Sequence, residues 1–192
     1  MSGNADKYDR VSIALHWSIG ISIFVVGLAE LLRETFPRGS YPRVALGALH
    51  QPVALIVFAL ILFRIAWRLT HRPPDLPDTM LPWERQLARA AHVALYALMV
   101  AVPLLGLVTS YARGRPIDFG LFSIPALGPG LPRSVTHFIK ELHEKVAIAI
   151  MLLAGAHAAV GLWHHYLRGD DILTRMLPAR RKPGAGATGR AN

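Results

Sequence analysis

The chain contains no cysteine. That excludes disulfides, thiolate zinc sites, iron–sulfur clusters and the C-x-x-C-H attachment of c-type haem, so any metal must be held by histidine, methionine or oxygen. Charge is scarce as well. Charged residues make up 17% of the 192 residues against 53% apolar, whereas a soluble domain carries about a quarter charged. Acid is the scarcer sign, with 12 Asp and Glu against 21 Lys and Arg and a formal net charge of +9. The resulting isoelectric point near 10.6 could suggest nucleic acid. The basic residues, however, sit in short flanks between apolar runs rather than in one stripe, so no nucleic-acid partner is expected and the lipid bilayer is.

What the sequence does have is long apolar runs. Four of them, roughly 11–32, 44–63, 90–111 and 146–167, reach the length of about 20 residues that crosses a bilayer. With their flanks they predict helices over about 10–33, 44–68, 83–112 and 135–167. Pro103 should kink the third, and Ser134 after Pro132 is a candidate N-cap for the fourth. The first run is too long for a signal-peptide core, contains His16 and lacks a small-residue cleavage site, so it reads as a retained helix. Short connections then give an all-α fold, an integral-membrane antiparallel four-helix bundle, as one domain over residues 1–178. The stretch 179–192, with "GAGATGRAN" after Pro183, reads as a disordered cytoplasmic tail.

Orientation follows from the basic residues. With the N-terminus inside, 13 of the 21 lie in inner segments and 8 in outer ones. Both termini are therefore expected in the cytoplasm. The outer connection "ARGRPIDFGLFSIPALGPGLPR" is apolar and glycine-rich. It suits either a lid across the bundle mouth or a loop resting on lipid.

Nine histidines stand out against this background, because an ionisable group inside a span is costly and usually functional. His71 and His137 fall in a loop and an exposed first turn, where they are expected to be solvated. His16, His50, His92, His143, His157, His164 and His165 remain. His143 and His157 are 14 residues apart, about 21 Å along the helix axis and within about 40° of the same direction. The fourth helix thus presents one histidine face at two depths. His50 can meet His143 at the outer level, and His16 can meet His157 at the inner one. Two imidazoles per level are too few for a bare metal ion, which wants three or four ligands, but they suffice for a haem, which brings four nitrogens of its own. Small residues one turn on from each of the four, Gly20, Ala54, Ala147 and Gly161, leave room for a flat ring. His92 competes: it lies near the inner level and could replace His16 or His157, or contact a haem propionate. His164 and His165, next to Trp163 at the inner interface, could anchor the helix or contact a propionate.

The stretches "ALHWSIG", "GALHQPVALIVFALILFRIAWR", "ARAAHVALYALMVAVPLLGLVTSY" and "ELHEKVAIAIMLLAGAHAAVGLWHHYLRGDDILTRMLP" resemble the bacterial cytochrome b561 family over about residues 7–178. The short length resembles its stand-alone di-haem members, which include superoxide oxidases, rather than the longer cytochrome b subunits. The resemblance implies two non-covalent b haems with bis-histidine ligation, His16 with His157 and His50 with His143. It also implies superoxide as electron donor and ubiquinone as acceptor. Basic residues of the outer side, Arg38, Arg43, Arg113, Arg115, Arg133, Lys140 and Lys145, would attract such an anion. Trp17, Ser18 and Trp163 could line a quinone pocket near the inner pair. Two other readings are an electron-transfer or anchor subunit for a partner dehydrogenase or hydrogenase, and a four-helix metal-ion transporter. The scarcity of carboxylates in the spans speaks against the transporter.

Overall fold

A computed structural model of the chain describes residues 7–77 and 80–178. The expected tail over 179–192 lies outside the described residues. The architecture is an antiparallel bundle of four long helices: α1 (Arg10–Thr35), α2 (Tyr41–Thr70), α3 (Pro82–Ala112) and α4 (Arg133–Trp163). The 26 residues of α1, the shortest, extend about 39 Å at helical rise, more than the ~30 Å of hydrocarbon they must cross. We call the end holding the start of α1 and the finish of α4 the terminal end, and the opposite one the loop end.

Each helix boundary has a local cause. Asp9 caps α1, with its carboxylate accepting from the Ser12 amide at 2.9 Å and the Ser12 hydroxyl at 2.6 Å. Burial works against the Asp9 charge, but these bonds, with one from the Trp67 indole, outweigh it and hold the carboxyl below its ordinary range. The α1 chain leaves the helix at Phe36, next to Pro37. Its last carbonyls are then served by Arg43 of α2, which donates to the oxygens of Arg33 at 3.1 Å, Glu34 at 3.3 Å and Phe36 at 2.9 Å. A cation on those orphan carbonyls also complements the helix dipole. In α3, Pro82 occupies the first turn, where its missing N–H costs nothing, and Glu84 accepts from the Leu81 amide at 2.8 Å.

Helix α4 departs from expectation at its start. It begins at Arg133, with Pro132 as the cap residue and Ser134 already inside the first turn. The Thr136 amide makes the first helical bond, to the Pro132 carbonyl at 3.0 Å, and its hydroxyl donates to the Ala112 carbonyl of α3 at 3.0 Å, tying the helix start to α3. At the other end α4 widens into a π turn over His164–Arg168 and stops at Gly169. The φ of +69° at Gly169 lies in the left-handed region, where a Cβ would be strained.

Helix α1 packs mainly on α2 and α3 mainly on α4, with α1 and α4 meeting between the pairs. The shared core is a thin seam of Leu15, Ile19, Val57, Ile61, Met99 and Ile150. Ile21, Val25, Leu28, Ile56, Val93 and Leu152 are exposed on the outside of the bundle. In water such an apolar girdle would be untenable, whereas in lipid it is the ordinary surface. The molecule is an all-α, multi-pass membrane four-helix bundle, carrying one short hairpin as its only strand pair among the described residues.

That hairpin, β1 (Ile117–Asp118) with β2 (Ser123–Ile124), leans on α2 about three turns from its start. The Asp118 amide donates to Gln51 Oε1 at 3.1 Å, while Gln51 Nε2 donates to Ser110 Oγ at 3.1 Å. Gly120, at φ +85°, backs onto Pro52. The α3–α4 loop is thus fastened beside His50, and its tip, Leu121, stays 98% exposed.

Candidate functional site

Four helices bring histidines inward at two levels of the bundle. At the loop end, His50 of α2 and His143 of α4 face one another with ring centroids 6.4 Å apart and planes at 85°. At the terminal end, His16 of α1 and His157 of α4 have centroids 6.0 Å apart and planes at 76°. Helical periodicity puts both α4 histidines on one face, as expected. His92 of α3 stands on the other side of His157, at 5.4 Å, so His157 is flanked by two imidazoles and the level contains three rings.

The surroundings of the rings differ between levels. His143 Nδ1 lies 3.0 Å from the Val102 carbonyl oxygen of α3. A carbonyl only accepts, so Nδ1 carries the hydrogen and donates, and the lone pair of Nε2 is left for a metal. Gly106, one turn after Val102, makes this approach possible: a Cβ there would come to 3.3 Å from His143 Cε1. His50 Nδ1 lies 3.8 Å from Glu30 Oε2, and Glu30 is itself held by Arg33 through bonds of 2.8 and 2.5 Å. At the terminal end the neighbour is a cation. Arg64 of α2 donates to the Tyr96 hydroxyl at 3.1 Å and the Ser12 carbonyl at 3.3 Å, with its third nitrogen 3.5 Å from His16 Nδ1. The last contact is too long to fix a tautomer of His16.

These residues fit a planar metallo-macrocycle. A metal–imidazole bond is about 2 Å, so two rings trans across one ion have centroids about 6 Å apart. Both 6.0 and 6.4 Å match that span. A Cβ added at Gly20 or Gly161, one turn on from His16 and His157, meets no atom within 4 Å. Among the described residues no three His, Cys, Asp or Glu converge as a bare metal ion requires.

The other expected histidines go elsewhere. His164, 3% exposed, sits in the π turn with Nδ1 2.5 Å from Asp170 Oδ2. Arg168 of the same turn reaches Glu84 of α3 at 2.5 Å, so this polar cluster joins the ends of α3 and α4. His165 packs against the Tyr166 ring at 4.8 Å. His71 is stacked on Trp67 at 3.8 Å, and exposed His137 lies 3.6 Å from Glu141. Of the tryptophans, Trp17 donates to the Met176 carbonyl at 2.7 Å, and Trp163 carries Arg168 over its ring at 5.4 Å.

The basic residues of the loop end also divide. Arg33 and Arg43 are tied to Glu30 and Glu34, and Lys140 to Glu144 of its own helix. Arg113 and Arg115 lie beside the hairpin. Partial desolvation, then the charge of Arg115, hold Arg113 below the ordinary guanidinium value, though a guanidinium stays protonated.

The chain is similar to known proteins along almost its whole length. Residues 7–179 match the family described as prokaryotic cytochrome b561. The chain is 28% identical to Cytochrome b561 homolog 1 of Escherichia coli (strain K12), over 92% of this chain and 99% of that one. It is 31% identical to Cytochrome b561 homolog 2 of the same strain, over 90% and 92% of the two chains. Identity to the Probable superoxide oxidase CybB of Yersinia pestis is 28%, over 91% and 98%. With four apolar spans and a match along almost its whole length, the chain belongs to the prokaryotic cytochrome b561 family and is a membrane b-type cytochrome of electron transfer.

Proposed function

We propose that the chain binds two b haems, one at each histidine pair, and carries electrons across the bacterial inner membrane from superoxide to ubiquinone. The observation that supports this most is the repeat of one geometry at two levels: His50 with His143 at 6.4 Å and His16 with His157 at 6.0 Å. Bound there, haem b supplies a reversible one-electron store. His50 with His143, and His16 with His157, would hold the two irons, two imidazoles to each. Chemistry that needs a substrate on the metal is thereby disfavoured, and outer-sphere electron transfer remains. In this reading His92, 5.4 Å from His157, would contact a haem propionate as a hydrogen-bond donor and would not be a ligand.

Both termini are assigned to the cytoplasm, so the loop end faces outward. Arg113 and Arg115 there give an anion a cationic approach. Each superoxide gives up one electron and leaves as dioxygen. Two electrons and two protons convert ubiquinone to ubiquinol. Superoxide as donor rests on the likeness to a probable superoxide oxidase together with this cationic outer end.

The test is superoxide decay and quinone reduction by the purified holo-protein. Two superoxide consumed per ubiquinol formed is the expected result. Replacing Arg113 and Arg115 by Gln should slow the reaction and flatten its salt dependence. No quinone reduction by superoxide would overturn the substrate assignment.

A further inference from the structure

The two histidine pairs offer the same donors, but the nearest charged neighbour of each differs in sign. At the loop end, both Nδ1 atoms face oxygen. His143 Nδ1 meets the Val102 carbonyl at 3.0 Å, and His50 Nδ1 meets a Glu30 carboxylate oxygen at 3.8 Å. An acceptor on the rear N–H of a ligating imidazole makes the ring a stronger donor. A stronger donor favours the oxidised, more positive metal, and so does a nearby negative charge. Arg33 offsets part of the Glu30 field, while the Val102 bond is unaffected by it.

At the terminal end the sign reverses. With Nε2 of His16 given to a metal, Nδ1 carries hydrogen and faces the Arg64 guanidinium, 3.5 Å away, instead of an acceptor. Arg64 cannot turn away readily, because the Tyr96 hydroxyl and the Ser12 carbonyl hold two of its nitrogens. Asp9, a carboxylate at the same end, is committed to Ser12 and Trp67. A fixed cation in a span, where little water screens it, favours the reduced metal.

We infer that Arg64 raises the reduction potential of the His16–His157 centre while Glu30 and the Val102 carbonyl lower that of the His50–His143 centre, so that a single electron shared by the two resides at the terminal end. The inference rests on the two-haem reading. One electron leaves the loop-end metal, which is oxidised, and arrives at the terminal-end metal, which is reduced. No proton transfer is needed to balance the step. Arg64 is a positioning residue in this scheme, acting on the metal through charge.

The experiment is a potentiometric titration of the holo-protein followed by visible spectroscopy, with haem content measured on the same samples. Wild type should titrate in two one-electron steps, the higher one lost in His16→Ala and the lower one in His50→Ala. Arg64→Gln should lower the higher step by about a tenfold change in the reduction equilibrium, ~59 mV for one electron. Arg64→Lys, which keeps the charge, should stay near wild type. Glu30→Gln should raise the lower step. Two haems with unmoved midpoints in Arg64→Gln would overturn the inference and leave the two-haem reading intact. Fewer than two haems in wild type would overturn both. If Arg64→Gln loses a haem, the Glu30→Gln midpoint decides, and no upward shift there counts against the inference.

Discussion

His143 on α4 and Val102 on α3 are joined by a bond from ring nitrogen to carbonyl oxygen of 3.0 Å. The helices thereby fix which nitrogen of His143 is free. The approach depends on Gly106, whose missing side chain leaves the ring its place.

Gly106→Val should therefore cost the loop-end haem specifically. Its Cβ would fall 3.3 Å from His143 Cε1, and its methyls closer still. The pyridine haemochrome should show about one haem per chain, with the spectrum of the terminal-end centre retained. Full occupancy with an unaltered spectrum would show that the ring can move aside.

Arginines at the loop end should separate into structural and steering residues. Arg43 supports three α1 carbonyls and Glu34, so Arg43→Ala should lower stability in detergent by about 1–2 kcal/mol. Superoxide kinetics should change little. Arg113→Gln with Arg115→Gln should do the reverse, slowing the reaction at low salt with little change in thermal midpoint. Thermal unfolding and rates measured on the same preparations check both.

The His164–Asp170 contact, 2.5 Å and well buried, fastens the π turn. Asp170→Asn should cost about 2 kcal/mol, the scale of a charge-assisted hydrogen bond, seen as a lower thermal midpoint with both haems kept. Loss of a haem would instead tie the cluster to the inner centre.

Much of this arrangement was legible in the sequence because it follows from helix geometry. The spacing of His143 and His157 places them on one face of one helix whatever surrounds them, and apolar run lengths announce four spans. Contacts between helices were not legible. Nothing local tells that Arg64, grouped by sequence with the basic flank of α2, turns in to Tyr96, Ser12 and His16. The acceptor for His143 is a backbone carbonyl, which no residue type reveals. Glu30 lies near the end of the first apolar run, but its place beside His50 depends on how α1 and α2 pair. The cap of α4 was misplaced at Ser134, because the helix already begins at Arg133 after Pro132, which puts the Ser134 hydroxyl inside the first turn rather than before it. Sequence left His16 and His92 as rivals for one reason: both lie at the level of His157, and both flank it, at 6.0 and 5.4 Å.

Haem content of single histidine variants tests the central proposal most directly. Wild type should bind two b haems per chain. His16→Ala, His50→Ala, His143→Ala and His157→Ala should each retain one, and His92→Ala should retain two. A colourless wild-type protein, or a His92→Ala variant that loses a haem while His16→Ala keeps both, would contradict it.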